Sequence, residues 1–298
     1  MRPNRWQRRI AGLDPETDFV EIYRLLTLHE FPWDLNQALS LALFRTYAVP
    51  GIGGLLDRTG EFTGRGQQRY DDTAVLLEAP LAHGFASPEG RTALRRINRM
   101  HAAHDIDADE LRYVLATFVV VPVRWLAAHG WRPLSAAEER ASVNYYRELG
   151  RHLAIPDVPT TYEAFAEEMD SYERAHFPDG DAVPVDPGSR RVADATLDLL
   201  VGFYPRPLAP AVRVASRAMM DPPLLAALGY RDPGPWVRRG VDAGLGLRAR
   251  FVAVMPPRRR PRYVGDSPRV VDATTPLADR GTLGACPVPH RAGAARQD

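Results

Sequence analysis

Helix-start signals recur along this sequence, and almost nothing in it alternates like a β-strand. Asp107 with Glu110 forms an acidic analogue of a capping box, followed by a long apolar stretch that stops at Gly130. Ser135 with Glu138 opens a second helix through Tyr145 and Leu149, and Thr160 with Glu163 a third through Phe165 and Met169 to about Phe177. Ser87-Pro88 couples an N-cap to a proline at the first helical position, and the spacing carries that helix through His101. Further helices are expected at 17–29, 34–47, 71–82, 190–202, 208–219 and 235–247. β-Branched runs bounded by turn pairs are nearly absent, and no internal repeat is visible. The fold class is therefore all-α, one globular domain with a C-terminal helical extension, and residues 256–298, rich in Pro, Arg and Gly without period, are expected to be irregular and disordered at the end. A Pro/Gly/Asp-rich loop at 178–188 divides the pattern.

Composition narrows the chemistry. Hydrophobic residues at 45% and charged residues at 25% are values of a folded domain, and a formal charge of +1 demands no nucleic-acid partner. All 38 basic side chains are arginine. Without lysine there is no Schiff base and no P-loop, so lysine-based pyridoxal chemistry and Walker-type nucleotide hydrolysis are excluded. Cys286 is the single cysteine, which rules out an intramolecular disulfide and cysteine-rich zinc or iron–sulfur sites. The basic start Met1–Ile10 has no apolar stretch behind it, so no secretory signal is expected. The most apolar run, Val114 to Val123, reads as part of a buried helix too short to span a bilayer. The expected location is the cytoplasm, with a peripheral membrane contact left open.

Two segments could carry chemistry. In Arg91–His104, helical spacing puts Leu94, Ile97, His101 and His104 on one face. A buried neutral imidazole offers a lone pair to a transition metal or haem iron, although satisfied core histidines give the same pattern and are commoner. In Arg69-Tyr-Asp-Asp-Thr73, a four-residue spacing brings a guanidinium beside a hydroxyl. Arginine could neutralise a propionate or other anion and threonine could bond a bound oxygen species. The commoner alternative is a helix cap at Asp71 or Asp72 with Arg69 paired to a carboxylate. Glu173-Arg-Ala-His176 has the Glu-x-x-His spacing of di-iron bundles but no second copy, and Gly51-Ile-Gly53-Gly54 lacks the dinucleotide-binding spacing.

Asn98-Arg-Met-His-Ala-Ala-His-Asp-Ile106 resembles a segment of the MpaB-type oxygenases, which share a domain with the rubber oxygenases (latex-clearing protein). The resemblance extends through Thr46–Pro50, Thr59–Phe62 and Arg69–Thr73 upstream. Downstream it continues through Tyr113–Phe118, Pro122–Trp125, Trp131–Leu134 and Gly150–Pro156, covering roughly residues 14–265. It implies a helical domain over 14–265, between an N-terminal arm (1–13) and an irregular tail (266–298), with globin-like packing around a b-type haem, His101 as the iron ligand, and Arg69 and Thr73 near the haem. Asn98 and His104 are the further candidates for holding the cofactor, His104 either as a donor that supports His101 or as the alternative ligand, since helical spacing does not choose between the two histidines. Rubber oxygenases carry a lysine where Asp72 stands here and an arginine where Asn98 stands, and both departures resemble the MpaB branch. The resemblance also implies an O2-dependent oxygenase that takes a hydrophobic alkene or isoprenoid and either cleaves its C=C bond or oxygenates it. Two other classes stay open on the residues: a haem sensor or carrier without turnover, and a metal-free helical protein that binds apolar ligands.

Overall fold

N-caps fix where the helices around the site begin. A computed structural model of the chain describes residues 4–104, 106–177, 184–267, 269–270 and 274–281. The helices are α1 (Arg5–Ile10), α2 (Phe19–Leu25, continuing as a π turn Leu26–Glu30), α3 (Pro32–Ala48), α4 (Pro50–Arg58), α5 (Glu61–Gly64), α6 (Gly66–His83) and α7 (Pro88–Ala102). Then come α8 (Ala108–His129), α9 (Ala136–His152), α10 (Tyr162–His176), α11 (Pro187–Gly202), α12 (Ala209–Ala218), α13 (Pro222–Ala227) and α14 (Pro235–Val254). No strand occurs among the described residues, so the all-α reading holds. Loop residues 178–183, Cys286 and His290 lie outside the described residues.

Ser135 and Glu138 form both halves of their capping box, and Ser87 accepts from Gly90 N at 2.9 Å. One cap shifts: Thr161, not Thr160, opens α10 by accepting from Ala164 N, while Thr160 gives its carbonyl to Arg140. Helix α8 lies at the centre, packed against α3, α9 and α10. At 22 residues it is longer than its apolar run suggested and apolar enough to cross a bilayer. Yet Tyr113, Leu115, Val119, Val120, Trp125 and Leu126 are all buried in the protein core. Burying such side chains contributes about 1.5–3 kcal/mol each, which favours the core position.

Helix α4 is absent from the expectations because Gly51, Gly53 and Gly54 are poor helix formers. Tertiary packing overrides that propensity. Pro50 forces Val49 into an extended conformation, and α3 and α4 meet at 95°. The bend drives α4 onto α11 so closely that a Cβ at Gly53 would collide with Ser189 Oγ and the Tyr47 carbonyl and lie 2.8 Å from Ser189 Cα. Gly53→Ala is therefore expected to destabilise the protein by about 1–3 kcal/mol, read as a lowered denaturation midpoint. An unchanged midpoint would show that the α4–α11 contact yields at no cost.

Helices α6 and α7 form a hairpin that carries the candidate site. Gly84 turns the chain at φ +91°, a left-handed value that favours glycine, and its carbonyl accepts the Ser87 hydroxyl at 2.8 Å. Leu76 and Ala79 of α6 pack on Ala93 and Ile97 of α7, with Leu277 of the C-terminal segment against them.

Candidate functional site

Leu94 and Ile97 are buried on the inner face of α7, and His101 follows on that face in the last helical turn. Its Nδ1 is fully buried with no hydrogen-bond partner. Burial, then the Arg69 charge, then His104 push its pKa down to about 4. A histidinium in a last helical turn is ordinarily favoured by about 0.3–1 kcal/mol; here burial and the arginine outweigh that, and the ring is neutral at physiological pH. The helix ends at Ala102 with Ala103 as C-cap, so His104 leaves the helical path instead of continuing the stripe. Its amide still bonds the His101 carbonyl at 3.1 Å, which keeps the two residues adjacent.

The Arg69-x-x-x-Thr73 spacing falls within α6 and brings guanidinium and hydroxyl together: Arg69 Nη1 donates to Thr73 Oγ1. Thr73 in turn donates to the Arg69 carbonyl at 2.8 Å, so the hydroxyl's only proton is committed to its own helix. Helix α6 starts at Gly66, which places Asp71 and Asp72 in its second turn and removes them as caps. No carboxylate pairs with Arg69 among the described residues. Burial lowers its pKa, and Tyr47, Asp72 and Glu61 offset this in part. The ring of Phe62 lies 5.8 Å from the guanidinium carbon.

Two more side chains join from distant sequence. Tyr47, near the end of α3, is buried beside Arg69 with its phenol pKa raised by burial. Thr196 of α11 faces that phenol, yet both oxygens are buried without a hydrogen bond of proper geometry. In the sequence Tyr47 falls inside the Thr46–Pro50 block, and no motif marks Thr196. Nothing local marks either one, because their meeting depends on the bend after α3.

Asn98 sits one turn before His101, and its amide donates to the His152 carbonyl at 2.9 Å, tying α7 to the end of α9. With Arg95 and Arg99 it also lines an open depression on the surface. Asp72 has a defined partner: Arg280 Nη1 at 3.0 Å, both side chains almost wholly buried. Gly281 N adds a bond to the same carboxylate at 2.9 Å, and Arg96 holds the carbonyls of Arg280 (2.5 Å) and Gly281 (2.7 Å). The C-terminal segment is thus strapped across α6 and α7 beside the site. An apolar cavity of about 10 Å³ lies among α2, α3, α8 and α9, lined by Tyr23, Leu35, Phe118 and Tyr146. It has room for about one water and is not the substrate chamber that an oxygenase of alkenes requires.

Set against known proteins, residues 35–255 match the model of the family described as ER-bound oxygenase mpaB/B'/rubber oxygenase, catalytic domain. The chain belongs to this family. It is 31% identical over 241 residues to ER-bound oxygenase mpaB' of Penicillium brevicompactum, covering 76% of this chain and 56% of that protein. It is also 31% identical over 216 residues to ER-bound oxygenase mpaB of Penicillium roqueforti, covering 67% and 72%. A third relative, mpaB of P. brevicompactum, matches over 214 residues, 54% of its length. The chain spans about half the length of the two P. brevicompactum relatives. The matched region contains Tyr47, Arg69, Thr73, Thr196 and His101, so the polar cluster lies within the family's catalytic domain.

Proposed function

We propose that this chain is a haem b-dependent oxygenase that uses O2 on a hydrophobic, alkene-type substrate. The observation that carries the reading is His101: a half-buried, uncharged imidazole whose Nδ1 is fully buried and unused, beside a half-buried arginine with no carboxylate partner among the described residues. These residues fit the group. A neutral imidazole supplies the lone pair that iron needs, and an unpaired guanidinium matches a propionate. Among the described residues no three His, Cys, Asp or Glu side chains converge as a metal cage. His101 would therefore act as a lone protein ligand, the pattern that a porphyrin permits because its ring nitrogens supply the other donors.

When bound, the haem would supply oxygen binding and activation, and oxidative cleavage would place the two atoms of O2 in two carbonyl groups. The protein's part is to hold and shield. His101 keeps its lone pair because burial disfavours its protonation. Arg69 supplies fixed positive charge in a water-poor setting, where a charge acts more strongly than in solvent. Thr73 orients that guanidinium and is a positioning residue. Tyr47 and Thr196 present hydroxyls that can orient a polar atom entering the cluster.

The test is an absorption spectrum with pyridine haemochrome analysis of protein expressed with ample iron and haem precursor, followed by O2-dependent conversion of an isoprenoid alkene to carbonyl products. A Soret band and stoichiometric haem b are expected. A preparation that stays colourless would overturn the reading. Haem without turnover or oxygen binding would move it to a sensor or carrier.

A further inference from the structure

Helix α14 is amphipathic in the wrong sense for a soluble protein. Its inner side is held by Arg238, which donates to the carbonyls of Ala218 and Met220, and by Arg248, bidentate on the buried Asp34 at 2.8 and 3.1 Å. Leu245 joins the core there, and the Arg248 guanidinium lies 3.8 Å from the Trp33 ring. The outer side carries the large apolar residues: Trp236 is 78% exposed, Leu247 69%, Phe251 62% and Val254 79%. At about 100° per residue these four fall in one sector roughly 60° wide, running the length of the 20-residue helix. Exposed Gly240, Ala243 and Gly244 fill the intervals in or beside this sector. Met255 follows it at 51% exposure.

Charge lines one edge of this stripe. Arg239 and Arg250 project beside it, with the Arg239 guanidinium 4.9 Å from the Trp236 ring, and neither is ion-paired among the described residues. Arg258, Arg259, Arg260 and Arg262 continue directly after the helix. From Pro235 to Arg262 there are eight arginines and one acid, Asp242, in a chain whose overall formal charge is only +1. Asp242 stands away from the apolar stripe.

We infer that this face docks the protein peripherally on an anionic lipid surface. An apolar stripe edged by arginines, with a tryptophan at one end, suits the boundary between acyl chains and headgroups. The planar guanidinium pairs bidentately with phosphate, and free guanidiniums around an apolar strip are complementary to a layer of anionic headgroups. A second copy fits less well: antiparallel pairing of two such stripes sets Arg239 against Arg250 of the other copy, with no acid on the face to separate them.

The test is co-sedimentation of the full chain with phosphatidylcholine vesicles, with and without phosphatidylglycerol. Binding to the anionic vesicles, a blue shift of tryptophan emission on binding and release at high ionic strength are expected. Leu247→Asp/Phe251→Asp and Arg239→Glu/Arg250→Glu should each weaken binding roughly tenfold or more. Both should leave helical circular dichroism and the melting temperature unchanged, because all four side chains are exposed. Absence of vesicle binding, equal binding to neutral vesicles, or wild-type binding by both variants would each overturn the inference. So would a dimer in light scattering that Leu247→Asp/Phe251→Asp dissociates, since the face would then join two copies.

Discussion

His101→Gly is expected to leave the purified protein almost without a Soret band, and added imidazole should restore part of it. Loss of a residue that only supports a metal ligand typically costs 10–100-fold in affinity, so loss of the ligand itself should weaken haem binding by roughly a hundredfold or more. Free imidazole can enter the space left by the side chain and supply the same lone pair. A merely structural histidine would show no such rescue. The haem-free protein carries a second signature. His101 has a pKa of about 4 in the fold against an ordinary 6.5. As pH falls from 6.5 towards 4 the unfolded chain takes up a proton that the folded chain refuses, so stability drops across that window. At 1.36 kcal/mol per pH unit the drop is on the order of 3 kcal/mol, and it should be missing from denaturation curves of the glycine variant. Full haem content with an unaltered spectrum in His101→Gly would remove the ligand assignment. An unaltered pH profile would show that the imidazole is not held neutral by burial.

The parts of this site that share one helix are legible in the sequence. Ser87-Pro88 fixes the start of α7, and counting from that start puts Leu94, Ile97 and His101 on the buried face. Counting also places Arg69 beside Thr73. His104 shows where periodicity fails: spacing extends a stripe beyond Ala102, but it does not say where the helix stops. What joins the helices is much less legible. Tyr47 and Thr196 reach the cluster only because the Val49-Pro50 bend and the missing Cβ of Gly53 let α4 settle on α11. Glycine propensity alone argues against α4. Asp72 and Arg280 are 208 residues apart; the sequence offers Asp72 as a helix cap and leaves Arg280 unmarked in the irregular tail. Their burial is a property of the docked C-terminal strap, which composition reads only as irregular chain.

The largest effect on stability is expected from Arg45→Met. Arg45 leaves α3 and donates from Nε at 2.7 Å, and also from Nη2, to the two oxygens of Glu173 on α10. It donates from Nη1 to Asp221 at the start of α13, and the Tyr113 hydroxyl of α8 closes on Glu173 at 3.1 Å. Burial opposes the guanidinium charge, yet Glu173 and Asp221 hold its pKa well above the ordinary value. Glu173, which the sequence offered only as half of a di-iron motif, is 7% exposed and works as this arginine's counter-ion. Removing the arginine strands a buried carboxylate. Breaking a buried pair in this way costs about 3–5 kcal/mol, which for a chain of this size lowers the melting temperature by roughly 10 °C. Glu173→Gln should cost less, because Asp221 still faces the arginine and the amide keeps its shape. Arg45→Met/Glu173→Met should be more stable than Arg45→Met alone, because the penalty belongs to the stranded charge and not to lost packing. Additive losses in that double variant would refute the argument. Tyr47 lies two residues beyond Arg45, so loosening this end of α3 should also reduce haem retention without touching His101.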